Sequence, residues 1–332
     1  MRTLIYKLIA RYYLRKPEME DIIAARYKSW RSIWNTALNQ IAFISRNTQL
    51  PRLTSLNIEL TNCCNLRCKM CPTNNGMVRA KGYMDIELYK KIIDEAGSDL
   101  EFIQLYNWGE PLLHPDFLKF INYAEHKDIA TIITTNGTLL TDENIFKIVT
   151  SCLGRIVISM DGLDSHYEKV RGYSYEQLSA RVMKLIEKRN EINPNLKIDM
   201  NVVLDEDNDH CIEDFNSGWK QYVDVINYIP SMYLIDSKPE ERQLRCPELW
   251  KGSLVVLWDG SVVPCCVDYE GKMVLGDAKT TPIKDIFNTR ALRMLRRNHN
   301  RYRFDGICKY CVEYQSNKIK PRFAWKKLVK GI

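Results

Sequence analysis

Eleven of the 332 residues are cysteine, and nine of these fall into two groups. Cys63, Cys64, Cys68 and Cys71 share one short segment, and Cys246, Cys265, Cys266, Cys308 and Cys311 share the last third of the chain. Grouped thiolates in a reducing compartment are ligands for iron–sulfur clusters or zinc. An odd cysteine count argues against a purely disulfide framework. So do Arg2, Lys7, Arg11, Arg15 and Lys16, which break up any apolar secretion signal. Only Cys152 and Cys211 stand apart. Cys152 lies in an apolar helical pattern and is expected in the core. Cys211 follows the acidic stretch Asp205–His210 and reads either as a buried helical thiol or as a hydrogen-atom donor of the kind an epimerase needs.

Cys64, Cys68 and Cys71 are spaced C-x3-C-x2-C directly after a strand pattern. Three thiolates on one loop hold three irons of a [4Fe–4S] cube and leave the fourth iron for a chelating small molecule. The competing reading is a zinc knuckle that adds Cys63. In the second group, Cys246, Gly260 and Cys265 give C-x13-G-x4-C, and Cys308-Lys-Tyr-Cys311 follows after 42 intervening residues. Four thiolates saturate a cluster or a zinc ion, and spacing alone does not choose between them. Cys266 could stand in for Cys265.

These loops need a scaffold. The chain is 45% hydrophobic and 27% charged, as in ordinary globular proteins. The longest uncharged stretch near the N-terminus, Ser32 to Ser45, is shorter than the roughly 20 residues of a spanning helix. Strand patterns at Ser55–Leu60, Phe102–Tyr106, Ala130–Thr134, Arg155–Met160, Lys197–Val203 and Val223–Ile229 alternate with helical ones near Asp85–Ala96, Pro115–Glu125, Glu143–Cys152, Tyr175–Arg189 and Cys211–Tyr222. Six such alternations predict parallel strands with right-handed crossovers, hence an α/β fold with a partial (β/α)6 TIM-like barrel. Chemistry is then expected beyond the carboxyl ends of the strands. The expected divisions are a basic helical arm at 1–50, the barrel at 51–235, a small cysteine module at 236–317 and a basic amphipathic tail at 318–332. Trp258-Asp259-Gly260 marks a hairpin inside the module, followed by a helix near Ile283–Arg297.

With these motifs in place the sequence resembles the radical S-adenosylmethionine (SAM) enzymes over about residues 52–317. The resemblance implies a catalytic cluster on Cys64, Cys68 and Cys71 whose open iron binds the amino and carboxylate groups of SAM. Trp108-Gly109-Glu110-Pro111 is similar to the family's Gly-Gly-Glu-Pro strand end, with Trp108 in place of the first glycine, and assigns Gly109 and Glu110 to the methionine amino group. Thr135-Asn136-Gly137 is similar to the ribose-side element. Ser159, after which comes Asp161-Gly162, and Arg171 match a serine and an arginine that contact SAM in related enzymes. Met70 stands where the family often has an aromatic residue. His114, near Glu110, either touches substrate or packs. The region from Cys246 resembles the SPASM/twitch extension, which implies one auxiliary [4Fe–4S] cluster on Cys246, Cys265, Cys308 and Cys311.

The resemblance implies an oxidoreductase that cleaves SAM reductively, forms a 5′-deoxyadenosyl radical and takes hydrogen from a small polar, sugar-like substrate, with the auxiliary cluster as electron acceptor. Three alternatives stand beside it: a peptide-modifying maturase or epimerase, an enzyme of lipid-linked glycans at a membrane surface, and an electron-transfer protein without catalysis. A flavodoxin- or ferredoxin-type donor is the implied partner. Residues 1–50 carry nine Lys/Arg against three acids, and residues 318–332 carry six against none, so with a net charge of +7 the body between them is acidic. The basic ends read as packed helices or as a contact for an anionic membrane face. The acidic body speaks against nucleic acid. A cytoplasmic protein, peripheral on the membrane if those ends bind lipid, is expected.

Overall fold

The computed structural model describes residues 30–97, 100–204, 208, 211–230 and 241–311. Strands β1 (Ser55–Ile58), β2 (Phe102–Gln104), β3 (Ala130–Thr135), β4 (Arg155–Ser159), β5 (Lys197–Leu204) and β6 (Val225–Pro230) are each parallel to the next. The later strands β7 (Ser253–Val256), β8 (Ser261–Val263) and β9 (Gly276–Asp277) complete one open sheet in the order β6-β5-β4-β3-β2-β1-β7-β8-β9. The six expected parallel strands are present and the barrel is not closed.

Helix α1 is Trp30–Ile44. Helices α2 (Ile86–Ala96), α3 (Phe117–Glu125), α4 (Asp142–Val149), α5 (Asp164–Arg171), α6 (Tyr175–Ile192) and α7 (Ile212–Trp219) alternate with the parallel strands. Their starts are written locally. Asp85 accepts from the backbone of Glu87 and Leu88, Thr141 from Asn144 and Ser174 from Gln177, caps worth about 1 kcal/mol each. In α2, Leu88, Tyr89, Ile92, Ile93 and Ala96 recur at helical spacing and are buried. Each such aliphatic side chain contributes roughly 1.5–3 kcal/mol.

Three expectations change. The short polar helix α5 was not expected; its periodicity is weak and it buries only Tyr167 and Val170. The single helix near Ile283–Arg297 is two, α8 (Ile283–Ile286) and α9 (Arg290–Asn300), because Thr289 caps the second through the Leu292 N–H. Cys152 is exposed rather than in the core: it lies past the end of α4, in the turn where Ser151 bonds back to Ile148. Of the expected arm, only residues from Trp30 onward are described. The basic tail and most of the acidic stretch before Cys211 lie outside the described residues.

Strand alternation gives the sheet two different faces. Leu56, Ile58, Ile103, Leu105, Ile133, Ile156, Ile158, Ile198 and Met200 join the helices in the main core. The other face carries Asn57 in register with Gln104, Gln104 with Ile132, and Ile132 with Arg155. Further along it, Ser159 is in register with Asn201 and Asn201 with Asn227. That face is polar.

The cysteine module is spliced into this sheet. β7 runs parallel to β1, with Ser55 opposite Ser253 and Ile58 opposite Val256. The hairpin turn expected at 258–260 leads into β8, antiparallel to β7. Trp258 donates its indole N–H to the Ala80 carbonyl at 3.1 Å. A Cβ on Gly82 would lie 2.5 Å from that indole ring. Gly82→Ala is therefore expected to push the ring off its acceptor and to destabilise the fold by about 1–3 kcal/mol, seen as a lower Tm. An unchanged Tm would show that the indole has room to turn.

Candidate active site

The first cysteine loop leaves the carboxyl end of β1. Cys68 is buried, and Cys64, Cys71 and Cys63 are half-buried. The loop is fastened by amides. Asn75 Nδ2 reaches the carbonyls of Lys69 at 2.6 Å and Cys71 at 3.1 Å, and Asn74 Nδ2 reaches that of Leu66 at 2.8 Å. The tandem Asn74-Asn75 after the third cysteine signals this wrapping, which spacing alone did not reveal.

Burial first, and then the nearby Glu110, Cys68 and Cys71, push the Cys64 thiol up to about 11. Burial also raises Cys68, against the pull of the Arg171 guanidinium. Thiols gathered this closely on one loop form a site for positive charge. N–H groups surround the sulfurs. The Leu66 amide lies 3.5 Å and Asn136 Nδ2 3.7 Å from Cys64 Sγ, and Arg171 Nη1 lies 3.8 Å from Cys68 Sγ. This donor set fits a cluster, whose sulfurs take such bonds.

Beyond this loop, β2 ends in the Trp108–Pro111 turn. The Glu110 carboxylate is 1% exposed. It accepts from the Thr135 hydroxyl and the Asn136 amide, each at 2.7 Å, and from the Leu112 amide at 3.1 Å. Burial wins over these three bonds and pushes Glu110 up to about 7. Its own N–H donates to the Cys63 carbonyl at 2.8 Å, so the surplus cysteine serves through its backbone. Asn136 continues the chain of contacts, with Nδ2 on Asn65 at 3.0 Å and Oδ1 accepting from the Thr138 hydroxyl at 2.7 Å. Asn65 and Thr138 were not singled out from the sequence; each lies within two residues of a residue that was.

Gly109 is fixed by space. A Cβ there would lie 2.0 Å from the Thr61 carbonyl oxygen. Position 108 has no such constraint, so tryptophan is tolerated there.

Arg171 ends α5. Its Nε and Nη2 bond Asp161 Oδ2 at 2.6 and 2.5 Å, and the carboxylate is fully buried and also accepts from the Val203 amide at 2.9 Å. The guanidinium is thus committed to Asp161 and to the Cys68 sulfur, on the cluster side of the site. Ser159 is half-buried at the end of β4. His114 packs: Nε2 meets the Met84 carbonyl at 3.0 Å, and Nδ1 accepts from the Asp116 amide. Cys211 is half-buried at the start of α7, its N–H bonded to the Asn208 carbonyl at 3.0 Å.

In the second group, Cys265 feels Cys246 and Cys308, Cys246 feels Cys311, and Cys308 feels Cys246 and Cys311. Burial pushes Cys246 up to about 11 and Cys308 to about 12. Cys266 is exposed, whereas Cys265 turns inward with the other three. His299 accepts the Cys246 N–H on Nδ1 at 3.2 Å, and burial lowers its pKa to about 4, so it stays neutral beside the thiols. The four thiols lie close enough to feel one another's charge, and as soft donors they suit an iron–sulfur cluster.

Among the described residues no helix is long and apolar enough to cross a membrane. Two family models match the chain: the radical SAM superfamily over residues 58–216, and the SPASM iron-sulfur cluster-binding domain over residues 246–312. Among curated proteins, the tungsten-containing aldehyde ferredoxin oxidoreductase cofactor-modifying protein of Pyrococcus furiosus is 33% identical over 158 residues, 46% of this chain and 44% of that protein. The S-adenosyl-L-methionine-dependent 2-deoxy-scyllo-inosamine dehydrogenase of Niallia circulans is 24% identical over 266 residues, 77% of this chain and 91% of that protein. The match to the first of these, as to an AdoMet-dependent heme synthase of Methanosarcina barkeri, spans less than half the relative's length. The solved structure of anSMEcpe with bound AdoMet shares the fold at TM-score 0.61 and 16% identity, over 83% of this chain and 98% of that one. The three-thiol loop and the Gly109-Glu110 turn lie within the first match and the second cysteine group within the other, and the chain carries a radical SAM domain followed by a SPASM domain, which imply a [4Fe–4S] cluster with SAM and auxiliary iron–sulfur.

Proposed function

We propose that the protein is a dehydrogenase-type oxidoreductase acting on a small, polar, sugar-like molecule. The observation that carries this reading is the polar sheet face. Asn57 Oδ1, Thr134 Oγ1 and Asn227 Oδ1 are buried there without a hydrogen-bond partner among the described residues. Buried polar atoms need partners. The charged groups on this face close on each other instead, Arg155 on Asp199 and Arg79 on Glu59. Neutral amides and hydroxyls remain, which suits a substrate rich in hydroxyl groups. The likeness to a 2-deoxy-scyllo-inosamine dehydrogenase supports the same class.

When bound, the cluster and SAM supply a 5′-deoxyadenosyl radical that removes a hydrogen atom from carbon. The chain does the rest. Cys64, Cys68 and Cys71 would hold the catalytic cluster. Glu110, ionised, accepts the methionine ammonium, and Thr135 and Asn136 aim it. Gly109 lets that turn approach β1, and Ser159 offers a hydroxyl from the end of β4. Arg171 steadies Cys68. Cys246, Cys265, Cys308 and Cys311 would hold the auxiliary cluster, which would supply the electron acceptor a two-electron oxidation needs. The electron for SAM cleavage comes from a flavodoxin- or ferredoxin-type donor in the cytoplasm, where thiols stay reduced. Cys211 has a role as hydrogen donor only if the outcome is epimerisation.

Anaerobic reconstitution is expected to give about eight iron per chain and, with dithionite and SAM, 5′-deoxyadenosine. Cys265→Ala should lower the count to about four, whereas Cys266→Ala should leave it unchanged. Deuterium should pass from ring-deuterated 2-deoxy-scyllo-inosamine or a related aminocyclitol into 5′-deoxyadenosine. Transfer from a peptide instead would replace this reading with peptide maturation, and a loaded cluster that never cleaves SAM would end the enzymatic one.

A further inference from the structure

Trp108 touches both cysteine loops. Its carbonyl accepts the hydroxyl of Thr73, two residues after Cys71. Its indole Nε1 donates to the Cys266 carbonyl at 2.7 Å, next to Cys265. The ring meets Tyr269 edge-on, with centroids 5.8 Å apart. The Tyr269 carbonyl in turn accepts from Arg79 Nε at 2.9 Å, and Arg79 is paired with Glu59 at the end of β1. The backbone that aims the indole cannot slide, because Gly109 has no space for even a Cβ. Two residues on, Glu110 is held by the Thr135 hydroxyl and the Asn136 amide.

We infer that Trp108 is a positioning residue that ties the Gly109-Glu110 turn to the 265–273 loop, so that the auxiliary ligand Cys265 is held in fixed relation to the SAM side of the site. The tie rests on the proposed auxiliary cluster only for its functional meaning; its geometry stands without it. A glycine at 108, as in the family's Gly-Gly-Glu-Pro pattern, lacks both the indole donor and the ring contact. The tie runs through the indole N–H of Trp108, which a glycine cannot supply.

The 265–273 loop has its own internal bonds to report on. Asp268 is 2% exposed, and its carboxylate accepts from the Lys272 amide at 2.8 Å and the Met273 amide at 2.7 Å. A loop released from Trp108 opens more often, and those amides exchange faster.

The test uses the full chain, reconstituted, with Trp108→Gly and Trp108→Phe beside the wild type. Two quantities are read: hydrogen–deuterium exchange of the amides of Lys272 and Met273, and the electron paramagnetic resonance spectrum and midpoint potential of the auxiliary cluster, with the first cluster's signal as internal reference. Trp108→Gly should raise exchange at these amides at least tenfold and displace the auxiliary signal and potential, with the first cluster's signal unmoved. Trp108→Phe, which keeps a ring and loses the N–H donor, should fall between, and it decides the matter if the glycine variant does not fold. Unchanged exchange in both variants would overturn the tie. Faster exchange with an unmoved auxiliary signal would also overturn the inference, since Trp108 would then be packing alone. Iron counting separates this from the wider reading: about four iron in the wild type removes the auxiliary cluster, while the exchange result still judges the tie.

Discussion

Gly109→Ala should lower SAM cleavage by roughly two orders of magnitude while leaving the iron content at wild-type level. The added methyl would lie 2.0 Å from the Thr61 carbonyl oxygen, 2.7 Å from its carbon and 2.9 Å from Asn62 Cα. None of these is the end of a flexible side chain. Thr61 has little freedom to yield: its hydroxyl donates to the Gly82 carbonyl at 2.7 Å and accepts from the Cys63 amide at 3.0 Å. The turn must move instead, and with it Glu110. A displacement near 1 Å at a group that orients a reactant costs on the order of 100-fold. The measurement is 5′-deoxyadenosine formed per cluster, together with equilibrium dialysis of SAM. Cleavage within threefold of the wild type would show that the strand end accommodates the methyl and that close approach is not what the glycine provides.

Glu110→Gln should weaken SAM binding roughly 10- to 100-fold, the range for removing a charge-assisted hydrogen bond in a dry site, and it should abolish a pH dependence that the wild type shows. In the SAM-free protein, burial pushes the carboxyl up to about 7. Below that pH the group is protonated and cannot pair with an ammonium. Wild-type affinity should therefore rise as pH increases from 6 to 8, by up to tenfold per unit below about 7, and level off above. Fold stability runs the other way. The raised pKa contributes stability that is fully present below the ordinary value of 4.5 and is lost as pH rises through about 7. SAM should restore it, because the ammonium replaces the proton. A wild-type SAM affinity flat across this range would show that Glu110 is not the ammonium partner.

Much of the fold was legible because the chain writes it in local signals. Runs such as Arg155–Ser159 are bounded by turn residues, and Asp85, Thr141 and Ser174 announce helix starts. Helix α5 was missed because its residues are mostly polar, and with them went the fate of Arg171. The sequence shows an arginine ten residues after Asp161 but not that the chain turns back to bring the two within 2.6 Å. The exposure of Cys152 was hidden for a related reason, since periodicity continues past the point where α4 stops at Val149. The choice between Cys265 and Cys266 depended on which way the chain leaves β8, a matter of strand direction that residue types do not encode. The four orphaned or wrapping amides, Asn57, Asn227, Asn74 and Asn75, carry no motif at all. Their meaning comes only from which face or carbonyl they meet.

The pairing of β7 with β1 has a consequence for anyone who wishes to divide this protein. Its first half cannot be excised as a self-sufficient building block, because β1 is an interior strand only while Ser253–Val256 lies beside it. Without that neighbour, a row of bare amides and carbonyls would invite other copies to pair, and a fragment made that way would tend to precipitate. A graft that swaps the C-terminal half for another must bring a strand that pairs with β1 in the place of Ser253–Val256.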